Sequence, residues 1–218
     1  MARRSRIPTG KARARMLRDE AYREAITEAA EALFGVHGTD GTKMEDIARD
    51  AGFAVTTVYS VFRKGKAEIV DAVHALRLGE LVRAAESYAS SEGSALDRLA
   101  ASDRQSVAFF MEHENYLRMH LRAGHAWFMP EAVAGRVRGG AARWSDGVGA
   151  VIDMISEGIA NGEFGVDDPR RAGKSIVMLQ QIHLAEWIES GSSAGVDEVF
   201  ERYWADAVLL LRTSEPNT

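Results

Sequence analysis

The sequence predicts an all-α protein of about nine helices, a three-helix head followed by a larger helical domain. Three observations carry this. Apolar residues recur at intervals of three and four along most of the chain, the spacing of one helical face. No stretch alternates apolar and polar residues between turn signals, as a half-buried strand would. Proline is absent between Pro8 and Pro130, and Pro169 and Pro216 stand at a helix start and in the tail, where no helical hydrogen bond is broken.

Taken in order, Tyr22, Ile26, Ala30, Leu33 and Phe34 share a face of the first helix, and the pattern stops near Gly38. Two short helices follow within residues 42–62. Ile69, Val73, Leu76, Leu81, Ala84 and Tyr88 mark a long helix closed by the breaker Ser90-Ser91-Glu92-Gly93. Ser94 is placed to cap the next helix, whose face is Leu99, Val107 and Phe110. Pro130 suits the first turn of a helix through Val133, Val137, Ala141, Trp144, Val148, Val151, Ile155 and Ile159 to Asn161-Gly162. Asp168-Pro169 opens another, with Ala172, Ile176, Leu179, His183 and Trp187 on one stripe ending at Gly191. Val196, Val199, Phe200, Tyr203, Ala207, Leu210 and Leu211 make the last. Gly139-Gly140 and Gly147-Val148-Gly149 lie inside a helical pattern, which predicts close helix packing there.

Charge is unevenly shared. Residues 1–70 hold 13 Lys and Arg against 10 Asp and Glu, and the remainder 14 against 22. Seven basic residues and no acid occupy 1–18, a basic arm expected to be flexible over 1–19 and suited to meet a polyanion. The chain has no cysteine, which excludes disulfides, thiolate metal sites and a cysteine nucleophile and agrees with a cytoplasmic setting. No apolar run approaches the roughly 18 residues of a membrane span. No apolar segment follows the basic N-terminus, so no signal peptide is read there.

Residues 42–62 carry the strongest motif. Thr42-Lys43-Met44-Glu45 reads as a capping box, the Thr42 hydroxyl accepting from an early backbone N–H while Glu45 reaches back. Met44, Ile47, Ala48 and Ala51 form the apolar face, Ala48 being small where a second helix crosses closely. Gly52 suits the left-handed backbone of a sharp turn, and Phe53 can plug the corner. A second helix from Val55 to Phe62 turns Val58 and Phe62 inward. That is a helix-turn-helix over residues 20–70, whose second helix enters the major groove of double-stranded DNA. Val55, Thr56, Thr57, Tyr59, Ser60 and Val61 are then its outward residues, with Lys43, Lys64 and Lys66 as cations beside them. Thr57, Tyr59 and Lys66 suit phosphate oxygens. Few strong base-reading donors remain, so thymine methyls, phosphates and DNA shape carry a larger share.

These residues resemble the TetR family of bacterial transcriptional regulators. Ala29-Ala30, Leu33-Phe34, Gly38, Thr42, Asp46-Ile47-Ala48, Ala51-Gly52-Phe53, Thr57-Val58-Tyr59, Phe62 and Lys66 stand where that pattern expects them. The resemblance covers about a quarter of the chain. It implies an all-helical homodimer with a helix-turn-helix head, a divergent ligand domain and repression relieved by a small molecule. Departures are Ala54 in place of a capping Ser, which leaves that role to Thr56 or water, and Val61 in place of an aromatic or His. The link Arg63-Lys64-Gly65-Lys66 is one residue longer, which makes Lys64 a competitor for the role of Lys66.

Residues 71–218 are read as an effector-binding and dimerisation domain. Phe110, Trp127, Trp144 and Met178 fall on apolar faces of middle helices, and His183 is the polar group chosen to orient an apolar or aromatic effector among them. Plain helical core is the competing reading for each. His113-Glu114 does not continue as a zinc motif. His113 and His120, seven apart, could share a helical face but have no third ligand. No nucleophile elbow, phosphate loop or dinucleotide fingerprint is present, so neither catalysis nor a cofactor is expected. The last two helices have broad apolar stripes and, by the resemblance, are the expected dimer surface, which predicts a pseudo-palindromic operator; packing on their own domain is the alternative. The sequence therefore predicts a homodimeric, ligand-released repressor. Two alternatives stand beside it: a small-molecule binding protein or enzyme with a vestigial helix-turn-helix, and a regulator answering to a protein partner.

Overall fold

A computed structural model describes residues 10–122 and 140–212, with the backbone alone for 140–147. Among the described residues there are nine helices and no strand. They are α1 (Gly10–Gly41), α2 (Met44–Asp50), α3 (Val55–Val61), α4 (Lys66–Ala89), α5 (Ala95–Glu112), α6 (Glu114–Arg122), α7 (Gly140–Ala160), α8 (Pro169–Glu189) and α9 (Val196–Leu211). The chain divides inside α4, between Val73 and His74, into two compact units.

In the smaller unit α1, α2 and α3 pack on one another. Ile26, Ala30 and Phe34 of α1, Ile47 and Ala48 of α2, Val58 and Phe62 at α3, and Ile69 and Val73 of α4 are buried. The expectation of a flexible arm over 1–19 is corrected for its second half, because residues 10–19 are the exposed first turns of α1. Lys, Arg, Ala, Met and Leu are good helix formers. With no glycine or proline between Gly10 and Gly35, helix propagates outward from the packed turns. Gly38, at φ 75° and ψ 164°, breaks the helical backbone near the end of α1.

In the larger unit α5 packs against α6, α7, α8 and α9, and α8 packs on α7 and α9. Local chemistry sets the ends. The Ser94 hydroxyl accepts from the Asp97 N–H at 3.1 Å, and the two Glu163 oxygens accept from Ala95 and Leu96 N–H at 3.2 and 3.1 Å. Asp168 accepts from Arg170 and Arg171 N–H, both at 3.0 Å, with Pro169 in the first turn. Buried Arg98 donates to the Ala89 carbonyl at 2.7 Å and lies 2.6 Å from Glu157, tying the α4–α5 turn to α7.

Two expectations change here. The helix before α6 ends at His113 (φ −106°, ψ 56°), so His113 and His120 are not on one continuous helix. Among the described residues, a methyl group on Gly149 would meet nothing within 4 Å, so close packing against them does not account for that glycine. Gly139 lies outside the described residues, as do the surroundings of Gly140 and Gly147. The close approaches are at Gly158, where a Cβ would fall 2.2 Å from the Phe164 ring, and at Gly173, where it would fall 2.8 Å from Ile152 Cγ1.

Candidate nucleic-acid interface and internal cavity

The corner of the head is built by α2. Gly52 has φ 74°, which a side chain would strain. Its N–H donates to the Arg49 carbonyl at 3.2 Å, and the Phe53 N–H to the Ala48 carbonyl at 2.8 Å. These are the paired bonds of a Schellman motif, which satisfies the last carbonyls of α2 while reversing the chain. Phe53 packs on Tyr22 with ring centroids 4.7 Å apart.

From that corner α3 turns Val58 and the following Phe62 fully inward. Thr56, Tyr59 and Ser60 are exposed, and Val55, Thr57 and Val61 half-buried. The Ser60 hydroxyl donates to the Thr57 carbonyl at 2.7 Å, so its remaining capacity outward is as an acceptor. Lys43 and Lys64 are exposed at either end of this surface. No side chain caps α3. Thr56 therefore does not replace the missing serine hydroxyl, because it stands inside the helix with its side chain exposed.

The head is braced from within, and here one expectation is corrected. Thr42 does not form the capping box: the cap of α2 is Lys43, without a side-chain bond. The buried Thr42 hydroxyl instead donates to the Gly38 carbonyl at 2.8 Å, closing the break in α1. The Lys66 ammonium, expected at DNA phosphates, gives one hydrogen bond to the Thr42 carbonyl at 3.0 Å. Lys66 thus turns back on the head, whereas Lys64 is exposed. A second brace joins Arg23, 4.4 Å from the Phe62 ring centroid, to Glu68 at 3.5 Å. Glu68 also accepts the Lys64 N–H at 3.0 Å. That amide and then Arg23 hold the Glu68 carboxyl below its ordinary range.

The larger unit contains a cavity with about 30 Å³ open to the centre of a water molecule, lined mainly by aliphatic residues of α4, α5, α7 and α8. Its polar lining is Ser102, Asp103, Ser106 and Gln180. Asp103 is buried and accepts from the Tyr203 hydroxyl at 2.5 Å. Burial pushes its carboxyl up to about 7 against the opposing effect of that bond. Burial, and then Asp103, push the Tyr203 hydroxyl well above its ordinary value. Gln180 donates to the Asp103 backbone carbonyl at 3.4 Å and accepts from Ser106 at 2.9 Å.

Among the described residues, the effector-binding expectations Phe110, Met178 and His183 do not fall on this lining. Phe110 is core, stacked on Tyr116 at 6.2 Å. Met178 is half-buried one residue beyond Val177, about 100° around the helix from it. His183 pairs instead with Asp206 at 3.1 Å, on the side of α8 toward α9. Trp127 and the side chain of Trp144 lie outside the described residues. Asp103 and Gln180 were missed, yet each leaves a signal: an acid between Leu99 and Val107, and an amide between Ile176 and Leu184, at four-residue steps on apolar stripes. Among the described residues no three His, Asp or Glu come together to hold a metal, and no described helix is long and apolar enough to cross a membrane.

Residues 26–73 match the family model described as bacterial regulatory proteins, tetR family. A search of the curated proteins returns no match. Among solved structures, FadR from Bacillus subtilis in complex with stearoyl-CoA superposes with a TM-score of 0.72 at 18% identity, covering 86% of this chain and 97% of that one. A tetR-family regulatory protein from Rhodococcus RHA1 gives 0.71 at 20% identity, covering 89% and 98%. PfmR, a TetR-family transcriptional regulator from Thermus thermophilus, gives 0.65 at 21% identity, covering 97% and 100%. At these identities the likeness is one of fold.

Proposed function

We infer that this chain, whose residues 26–73 match the tetR-family model, is a DNA-binding transcriptional regulator that answers to a small-molecule ligand. The observation that carries the reading is the outward face of α3, held beside Lys43 and Lys64 on a head braced from within. In this reading Thr57, Tyr59, Lys43 and Lys64 contact phosphates, and Val55, Thr56 and Ser60 face base edges. Lys66 holds α4 to the α1–α2 link, and its other two N–H groups are available to the same DNA backbone. The larger unit, with its cavity, is the effector domain. That FadR from Bacillus subtilis was solved with stearoyl-CoA supports a ligand response of this kind.

The finer reading is a cytoplasmic homodimeric repressor, released when effector favours the shape that does not fit DNA. The proposed dimer surface is α8 with α9, supported by the exposed apolar side chains of Ile182, Leu209 and Leu210. Two-fold pairing places two α3 helices on successive major grooves of a pseudo-palindromic site.

Selection of bound DNA from a random pool, followed by gel shift, tests this directly. A two-fold motif bound far more tightly than scrambled DNA at physiological salt is expected, and equal affinity for both would sink the reading. Replacing Tyr59 or Lys64 with Ala should weaken binding to all sequences. Lys64→Ala should also lower the salt slope by about one unit, whereas Thr56→Val should change the preferred sequence.

A further inference from the structure

We propose that the cavity takes a small aliphatic amine, its ammonium seated on the Asp103 carboxyl and its chain against Leu81, Val148, Val151 and Val177. The inference deepens the reading of the larger unit as an effector domain and rests on it.

Among the described residues the cavity wall is aliphatic apart from Ser102, Asp103, Ser106 and Gln180. Three of the donors around Asp103 are used inside the protein. The Tyr203 hydroxyl proton goes to Asp103, the Ser106 proton to the Gln180 carbonyl oxygen, and a Gln180 amide hydrogen to the Asp103 backbone. What is left is the Ser102 hydroxyl, one Gln180 N–H and acceptor capacity, namely the second carboxyl oxygen and the hydroxyl lone pairs. Among the described residues the carboxyl accepts one side-chain bond and no Lys, Arg or His pairs with it. A carboxyl enclosed by aliphatic groups lacks the counter-charge that would stabilise its ionised form.

An alkylammonium supplies that counter-charge and three donors at once, while its chain buries against the aliphatic wall. Enclosure holds the carboxyl up at about 7, so near neutral pH a cation can draw it into the ionised form. A carboxylate or phosphate head meets the opposite: few free donors and a like charge. The proposal therefore separates this chain from a regulator that seats an anionic head at Asp103.

The test is calorimetric titration of the full chain at pH 7.5 with n-hexylamine, n-hexanol, hexanoate and stearoyl-CoA. Hexylamine is expected to bind at least tenfold more tightly than hexanol, with hexanoate weaker still. Asp103→Asn, which keeps an acceptor for Tyr203, should lose tenfold or more in hexylamine affinity. The proposal is overturned if hexanoate or stearoyl-CoA binds as tightly as hexylamine, or if Asp103→Asn binds the amine unchanged. Should that variant fail to fold, the ranking of the four ligands on the natural chain decides alone. Gel shift with the selected DNA keeps the two readings apart. Selective DNA binding without amine preference retains the regulator and discards the amine; amine preference without selective DNA binding does the reverse.

Discussion

Thr42 joins three parts of the head through one residue. Its hydroxyl donates back to Gly38 and its carbonyl accepts from Lys66, so the turn between α1 and α2 and the start of α4 share an anchor. Thr42→Val removes the hydroxyl and leaves the Gly38 carbonyl without that donor. A loss of about 1–2 kcal/mol is expected in urea unfolding of the full chain, with Thr42→Ser close to the natural protein. Asp103 behaves oppositely. Its carboxyl titrates near 7 when folded against an ordinary 3.8, so the folded state binds the extra proton. Its contribution to stability is present below about pH 4, is lost as pH rises toward 7, and is level above that, with a slope of up to about 1.4 kcal/mol per unit. Comparing melting temperatures from pH 4 to 8, Asp103→Asn should flatten this fall and melt higher than the natural chain at pH 8. Asp103 depends on a partner 100 residues away, whereas the Thr42 hydroxyl bonds four residues back, to Gly38. The capping-box reading of Thr42 came from local spacing, and spacing alone could not reveal that its hydroxyl turns back to α1.

At the scale of elements, helix identity was legible and helix contact was not. The caps at Ser94 and Asp168, the Gly52 corner and the inward pair Val58 and Phe62 all follow from interactions within a few residues. The glycines show the limit. Gly147-Val148-Gly149 looks like a close-packing motif, yet the tight approaches are at Gly158 and Gly173, because those positions face Phe164 and Ile152. Gly158→Ala should cost about 1–3 kcal/mol through overpacking. Gly149→Ala has open space among the described residues and should stabilise by up to about 1 kcal/mol through helix propensity. Chemical denaturation of the two variants side by side checks the contrast, and equal effects would refute it. The stripe read along α8 errs for a related reason. Leu179 and His183 are half-buried, whereas Gln180 and Gln181 are buried, because α8 is covered by α5, α7 and α9. A helix with several packed neighbours has no single apolar stripe.

For the molecule as a whole, the proposed pairing through α8 and α9 makes a quantitative demand. Ile182 is 51% exposed and Leu209 62%, an apolar surface that a second copy would cover. Ile182→Glu combined with Leu209→Glu should convert a dimer to a monomer by sedimentation velocity while preserving the helical circular dichroism. Loss of tight binding to the two-fold DNA site should accompany it, since one head alone covers one half-site. A dimer persisting in the double variant would move the interface elsewhere.

By itself the sequence determined the all-α architecture, the helix-turn-helix head and its likeness to the tetR regulators, and the split between a head and a larger unit. Those features are encoded by spacings of three and four residues, by caps and by one glycine turn, all of them short-range in the chain. Only the tertiary structure decided what Lys66, Thr42, His183 and Asp103 touch. Tyr203 meets Asp103 across 100 residues, and Gln180 meets its carbonyl across 77. Which polar atoms meet depends on how each helix is rotated about its own axis against its neighbours. Periodicity identifies the apolar side of a helix; it carries no information about which other helix that side will face.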